Sequence, residues 1–371
     1  MSFKNMVSGC TMVGMLQLSC TIGTIVLITP TLPLIFLSPK LGRRVIDFLI
    51  KLWFLLAVAL YELLMGVKIV ITGKPSRRGA SCLILANHRT RLDWFFLMSY
   101  ICRYSAIDQY RISLKESLKK VPGAGWAMQC AGFLFLKRKW EEDKDHISDC
   151  INYFSKVKSQ PQFLLFPEGT DMCPNAIRRS NTFAEKQGLP NYEYVLHPRT
   201  TGFVHFVTEM KKAQILDSVL DVTVGYPKTL IQSEVQTLKG KFPEEIHFYV
   251  EDHPIDTLPD SEKELELWLT KLWSAKEARL NRFYTVGHFE TDTSDYDISA
   301  IPKPISEVEF KKTLYGIILF WVIFLITVSV ALYISRMFQI YCLLSGLTYV
   351  LIYIRHGGID RVLYSSVKQN H

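Results

Sequence analysis

Residues 81–94 read Ser-Cys-Leu-Ile-Leu-Ala-Asn-His-Arg-Thr-Arg-Leu-Asp-Trp. The first six, Ser81–Ala86, form a short and nearly continuous apolar run, the pattern of a strand buried on both faces of a sheet. A polar stretch follows, and then Asp93–Tyr104, an apolar-rich segment of helical length. Strand, turn and helix in that order are the repeating unit of α/β folds. The two residues with acid–base chemistry, His88 and Asp93, fall in the turn and at the helix start. Positions five apart on one ideal helix lie ~140° around the axis, so these side chains meet only if His88 stands in the turn ahead of the helix that carries Asp93. A strand ending at Ala86 supplies that turn. A histidine held in one tautomer by a carboxylate is suited to general-base chemistry near neutral pH.

The same alternation recurs between residues 67 and 300. Strands are expected at Val67–Thr72, Ser81–Ala86, Phe133–Leu136, Gln162–Phe166, Asp221–Tyr226 and Ile246–Val250, and helices at Asp93–Tyr104 and Lys144–Val157. Ser261 and Glu264 make a capping-box pattern ahead of Leu265, Trp268, Leu269, Leu272 and Trp273, which recur at helical spacing through Tyr284. That stripe reads as core or interface packing. Thr285–Pro304 reads as a polar, acidic linker. The expected fold class is α/β, a central, mostly parallel sheet flanked by helices.

Both ends of the chain read as membrane. Met6–Pro39 has no charged residue in 34 positions, more than the ~20 needed to cross a bilayer as a helix. It is too long for a cleaved signal peptide, and Lys40, Arg43 and Arg44 follow it, which assigns that flank to the cytosol. Val45–Gly66 is apolar but interrupted by Asp47, Lys51 and Glu62, and reads as an interfacial or re-entrant helix, with a second span as the alternative. Thr313–Ile334 and Met337–Ile354 are uncharged runs of 22 and 18 residues separated by Ser335 and Arg336, a transmembrane hairpin whose positive flanks share one side. The expected divisions are an N-terminal membrane segment (1–66), a catalytic domain (67–300), the hairpin (301–354) and a cytosolic tail (355–371).

Composition agrees. Hydrophobic residues are 49% of the chain, mean hydropathy is positive, and net charge is +8. A basic balance favours anionic partners, but no Lys/Arg run of the nucleic-acid-binding kind occurs, so no nucleic-acid partner is expected. The eight cysteines form no C-x-x-C pair or metal spacing, and no N-x-[ST] sequon occurs; both suit a domain on the reducing side of a membrane.

The spacing of His88 and Asp93 proves little alone, because His247 and Asp252 share it. Those two lie in an expected strand, where an odd separation points side chains to opposite faces. Context separates the pairs. Four further segments carry polar residues at or near expected strand ends, where ligands bind in open α/β sheets: Lys115-x-x-Leu118-x-x-x-Pro122-x-x-Gly125-Trp126, Gly132-x-x-Phe135-Leu136-x-Arg138, Phe166-Pro167-Glu168-Gly169-Thr170, and Val222-x-Val224-x-Tyr226-Pro227.

In order, NHRTRLDW, GFLFLKR, FPEGT and VTVGYP resemble the four-block signature of the glycerolipid acyltransferase family, which includes the 1-acylglycerol-3-phosphate acyltransferases. The stretches KESLKKVPGAGWAMQ, FLKRKWEEDK and FAEKQGLPNYEYVLHPRTTGF, with the hydrophobic ends, look like its lysocardiolipin-acylating branch. Two departures occur: Thr90 stands where much of the family has Ser, and Asp171 follows FPEGT where many members have Arg-Ser.

The resemblance implies an acyl-CoA:lysophospholipid acyltransferase of the endoplasmic reticulum membrane, multi-pass, with its catalytic domain in the cytosol. His88 would take the acceptor hydroxyl proton and Asp93 would hold the imidazole. No G-x-S-x-G elbow for a serine nucleophile is present. Arg138 would bind the acceptor phosphate, or is a surface cation within Lys137-Arg138-Lys139. Glu168, Gly169 and Thr170 would form a turn whose backbone approaches phosphate or glycerol, or merely end a strand. Tyr226 and Pro227 border the coenzyme A or acyl channel, or pack. Lys115 meets an anionic head group, or solvent. Acyl-CoA is a co-substrate, and neither a cofactor nor a metal is expected. The acceptor is an anionic lysophospholipid, among lysocardiolipin, lysophosphatidylinositol, lysophosphatidylglycerol and lysophosphatidic acid. Two rivals from other classes remain: a thioesterase or lipid hydrolase, in which the same base activates water, and a non-catalytic membrane lipid-binding protein.

Overall fold

The computed structural model of the protein describes residues 3–75, 79–290 and 304–367. Among these residues seven strands form: β1 (Lys68–Lys74), β2 (Cys82–Ala86), β3 (Tyr110–Lys115), β4 (Leu134–Leu136), β5 (Gln162–Leu165), β6 (Ser218–Gly225) and β7 (Glu245–Pro254). Six match expected strands within a few residues. The unexpected one is β3, whose apolar pattern is broken by Arg111. That arginine is fully buried, with Nη2 2.6 Å from Asp47 Oδ1.

The chain forms two compact units. One comprises Met1–Gly9, Met65–Ala106 and Gln162–Pro304. Its five strands run in the order β1-β7-β6-β2-β5. The pairs β1·β7, β2·β6 and β2·β5 are parallel, and β6·β7 is antiparallel. Every residue of β2, β5 and β6 is buried, as their apolar runs require when helices cover both faces. Because β5, β2 and β6 are adjacent and parallel, their C-terminal ends open onto one edge of the sheet. The helix Glu262–Val286 packs in this unit. Its cap is the one read from sequence: Ser261 Oγ accepts from the amide of Glu264 at 3.3 Å and donates to its carboxylate at 2.6 Å. The expected linker begins later than Thr285, since the helix runs to Val286 and Phe289 is buried against Phe283; its residues 291–303 lie outside those described.

The other unit comprises Cys10–Leu64, Ile107–Pro161 and Ile305–His371, so two unit breaks, at 64/65 and 304/305, fall close to the expected boundaries at 66 and 300, and none falls at 354. Residues 107–161 of the expected catalytic domain, including the parallel pair β3·β4, fold with apolar helices. The expected tail contributes a helix, Ile359–Ser366, with Leu363 and Tyr364 buried and Asp360 Oδ2 2.6 Å from Lys119 Nζ. That buried pair explains why the tail is fixed, since removing either charge would strand the other at a cost of ~3–5 kcal/mol.

Among the described residues, three helical stretches are long and apolar enough to cross a membrane: Asn5–Leu37, Glu307–Ile334 and Arg336–His356. The last two join at Ser335, whose Oγ caps the second by accepting from the amide of Phe338 at 3.2 Å. The segment read as interfacial or as a second span is not among them. It forms the helix Pro39–Ala59, whose Arg43 and Asp47 are buried and paired at 2.7 Å.

Candidate active site

The site is assembled at the shared edge of β5, β2 and β6. After β2 the chain continues with Asn87, fully buried, whose side-chain amide prolongs the ladder beyond the strand. Its Nδ2 donates to the carbonyl of Val224 at 3.1 Å, and its Oδ1 accepts from the Val224 amide at 2.7 Å. That two-point clamp on β6 fixes where His88 begins. The His88 amide donates to Glu168 Oε1 at 3.2 Å, and its carbonyl accepts from the Met172 amide at 3.0 Å. Its ring stacks on Phe166 with centroids 4.0 Å apart. Backbone and ring are therefore both held, the pre-organisation a catalytic base requires.

Asp93 opens the helix Asp93–Tyr104, where the positive end of the helix favours a carboxylate. Its Oδ2 lies 2.9 Å from His88 Nδ1 and also accepts from the Thr90 amide at 2.9 Å. Its Oδ1 accepts from the Tyr226 hydroxyl at 2.6 Å. With a carboxylate on Nδ1, the neutral imidazole carries its proton there and its lone pair on Nε2. The His88 side chain is 15% exposed and that of Asp93 1%, so the ring reaches solvent while its carboxylate does not. Thr90 is locked in turn by a hydrogen bond from its hydroxyl to the Ile231 carbonyl.

The remaining expected site residues fall differently. Glu168 is buried against the His88 backbone, where burial pushes its carboxyl up to about 7 against the partial relief given by His88. Among the described residues its Oε2 has no hydrogen-bond partner. Its side chain thus supports the histidine loop. Gly169 takes φ +72° in that turn, a conformation glycine adopts without strain, beside the Arg199 side chain. Thr170 donates to Asp171 at 3.4 Å, and Asp171 lies 3.5 Å from Arg91. Tyr226, read as bordering the coenzyme A or acyl channel or as packing, is buried behind Asp93 with its phenol pushed well above the usual range by burial and by that carboxylate. Pro227 follows it, half-buried.

Arg138 and Lys115 belong to the second unit, and both are exposed. Arg138 has φ +64°, and the amides on either side of it, of Lys137 and Lys139, donate to Asp143 at 2.8 and 3.1 Å. The second His–Asp pair does not form. His247 packs edge-on against Phe283, and the register sets it opposite Gly225 while Asp252 faces Leu220. Sequence reading missed Asn87 and the role of Tyr226. The signal for the first was a buried polar residue directly at a strand end; for the second, only the strand order supplies it.

The family described as Acyltransferase matches residues 68–226, and that described as Acyltransferase C-terminus matches residues 236–321. The chain is 46% identical over 302 residues to lysocardiolipin acyltransferase 1 of Gallus gallus, covering 81% of this chain and 79% of that one. It is 35% identical to lysophosphatidylinositol acyltransferase 10 of Caenorhabditis elegans, covering 87% and 84%. It is 32% identical to a probable 1-acyl-sn-glycerol-3-phosphate acyltransferase 5 of Arabidopsis thaliana, covering 71% and 69%.

Proposed function

The chain belongs to the glycerolipid acyltransferase family and is a membrane-associated acyltransferase, and from that premise we propose that it transfers an acyl group from acyl-CoA to a hydroxyl of an anionic lysophospholipid with His88 as general base. The observation that carries the reading is the 2.9 Å contact between His88 Nδ1 and a buried Asp93 carboxylate, which leaves the Nε2 lone pair for a proton. The acceptor hydroxyl gives its proton to Nε2 as its oxygen attacks the thioester carbonyl. The tetrahedral intermediate collapses with cleavage of the C–S bond, and the departing thiolate takes the proton from the imidazolium. Asp93 stabilises the imidazolium between those two transfers. Arg138 binds the acceptor phosphate with its planar fork of donors, and the remodelled product is a diacyl phospholipid, or an acylated cardiolipin.

Lysocardiolipin, lysophosphatidylinositol, lysophosphatidylglycerol and lysophosphatidic acid share the chemistry this reading needs, a hydroxyl near a phosphate. Similarity to proteins named for different acceptors supports an acceptor range wider than lysophosphatidic acid. Residence in the endoplasmic reticulum is what the family resemblance implies, and a site facing the cytosol is supported by Lys40, Arg43, Arg44, Lys311, Lys312, Arg355 and Arg361 flanking the apolar runs. The test is an acceptor panel: membranes carrying the protein are given labelled acyl-CoA with each lysolipid and with none. Acceptor-dependent label in phospholipid is expected. Release of free fatty acid at the same rate without any acceptor would establish a thioesterase instead.

A further inference from the structure

We infer that Tyr226 is a positioning residue for the catalytic pair, acting through Asp93 and not through either substrate. This rests on the reading of His88 and Asp93 as the proton-transfer pair. Asp93 has two oxygens with different duties. Oδ2 serves the loop, taking the His88 ring and the Thr90 amide. Among the described residues, the donor to Oδ1 is the Tyr226 hydroxyl at 2.6 Å. A carboxylate 1% exposed gets no help from water, so this phenol is what stands between Oδ1 and an unsatisfied buried charge.

The position of the phenol is built, not incidental. Tyr226 immediately follows β6, which is parallel to and paired with β2, so the ends of the two strands present Tyr226 and His88 on the same edge. The Asn87 clamp on Val224 ties those two ends together two residues before the tyrosine. The Tyr226 ring is 3% exposed and packs edge-on against Phe96, one turn along the helix from Asp93, with centroids 6.4 Å apart. Its own amide donates to the Tyr284 hydroxyl at 3.4 Å. A side chain so enclosed does not line a channel. Burial and the adjacent carboxylate keep the phenol protonated across the working pH range, so it remains a donor throughout. Donation to Oδ1 holds the carboxylate plane aimed at Nδ1 and disperses part of its charge, so removing the phenol leaves more negative charge beside the imidazole.

Tyr226→Phe tests this, because it removes one oxygen and keeps the ring against Phe96. Wild type, Tyr226→Phe, Phe96→Leu and His88→Ala are compared in membranes, over pH, at varied acyl-CoA and lysophospholipid. In Tyr226→Phe, kcat should fall roughly 10- to 100-fold, the range for a hydrogen bond to a charged group. Both KM values should stay within about twofold, and the acid limb of the kcat–pH profile should move to higher pH. Phe96→Leu, which loosens the same packing without touching the hydroxyl, should leave the limb in place. A KM rise with kcat intact would make Tyr226 a substrate-channel wall and overturn the proposal. So would a kcat loss with an unmoved acid limb. His88→Ala separates the two levels: if it retains activity, the base itself is wrongly assigned, whereas its inactivity beside a fully active Tyr226→Phe refutes only the role of the tyrosine.

Discussion

His88 with Asp93 and His247 with Asp252 are the same residue types at the same spacing, and they have nothing else in common. The first pair spans a strand end, a turn and the first residue of a helix, and closes to 2.9 Å. The second runs along β7, where five residues of extended chain span about 17 Å and odd spacing turns the side chains to opposite faces. Each member of the second pair has its own local neighbours. His247 sits among Phe283 and Phe289, its Nε2 3.7 Å from Glu245, beyond hydrogen-bond reach. The backbone decides which of two identical words is chemistry. The pair proposed as catalytic is also supported: Asn87, Glu168, Thr90 and Tyr226 all hold it.

The widest gap between the pairs is in turnover. His88→Ala and Asp93→Asn should each lower acyl transfer by roughly 10²–10⁴-fold, the contribution of a positioned base, with normal membrane insertion. His247→Leu and Asp252→Asn should leave it within about threefold, because neither side chain touches the site. Both nitrogens of His247 are buried without hydrogen-bond partners among the described residues, so replacing it by an apolar residue of similar size removes a desolvation cost. Equal losses from the two histidines, measured with labelled acyl-CoA, would abolish the distinction.

The parts of the site that could be read from residues alone are the ones specified locally. His88, Asp93 and the strand before them lie within one stretch, and hydrophobic pattern plus turn position was enough to join them. The supports are non-local. Nothing near Tyr226 announces that β6 lies beside β2, since the order β1-β7-β6-β2-β5 follows from long-range pairing. Glu168 was placed in the right turn, but its side-chain partner, the His88 amide, was not legible, because a glutamate at a strand end gives no sign of its burial. The break at 107–161 was hidden for a related reason. Its strand β3 carries a charge, and what ties 107–161 to the helices Pro39–Ala59 and Ile359–Ser366 includes buried charges, Arg111 with Asp47 and Lys119 with Asp360. In a sequence such charges read as surface.

Glu168 offers a smaller and pH-dependent way to sharpen the contrast. Its carboxyl is raised by burial from the ordinary 4.5 to about 7. The neutral form is therefore favoured by the fold, and the stability it contributes is complete below about pH 4.5 and is lost as pH rises through about 7. A shift of that size corresponds to about 3 kcal/mol. Thermal unfolding in detergent should show the melting temperature falling between pH 5 and 8. Glu168→Gln keeps an acceptor for the His88 amide and removes the titration, so its profile should be flatter and higher at pH 8. An unchanged slope would mean that Glu168 does not titrate in this range. The same substitution at Glu245, beside His247, should change nothing in the activity.

Arg138 extends the comparison from pairs to a single residue whose backbone sets its role. It adopts φ +64°, which it shares among non-glycine residues only with Lys158 (φ 54°) and Gln214 (φ 54°) among the described residues. A side chain in this left-handed region costs about 1 kcal/mol that glycine would not incur. The cost is sustained by Asp143, which accepts from the amides on both sides of Arg138 and so fixes the turn whatever residue occupies it. Arg138→Gly should therefore be more stable than Arg138→Ala by about 1 kcal/mol, read from denaturation midpoints. Yet if the guanidinium binds the acceptor phosphate, both variants should raise KM for the lysophospholipid by roughly tenfold and leave KM for acyl-CoA near its original value. Lys158→Gly should gain the same stability with no kinetic effect. A glycine that is better for the fold and worse for the acceptor would identify Arg138 as retained for binding; a glycine that is neutral in KM would reduce it to a surface cation in a strained turn.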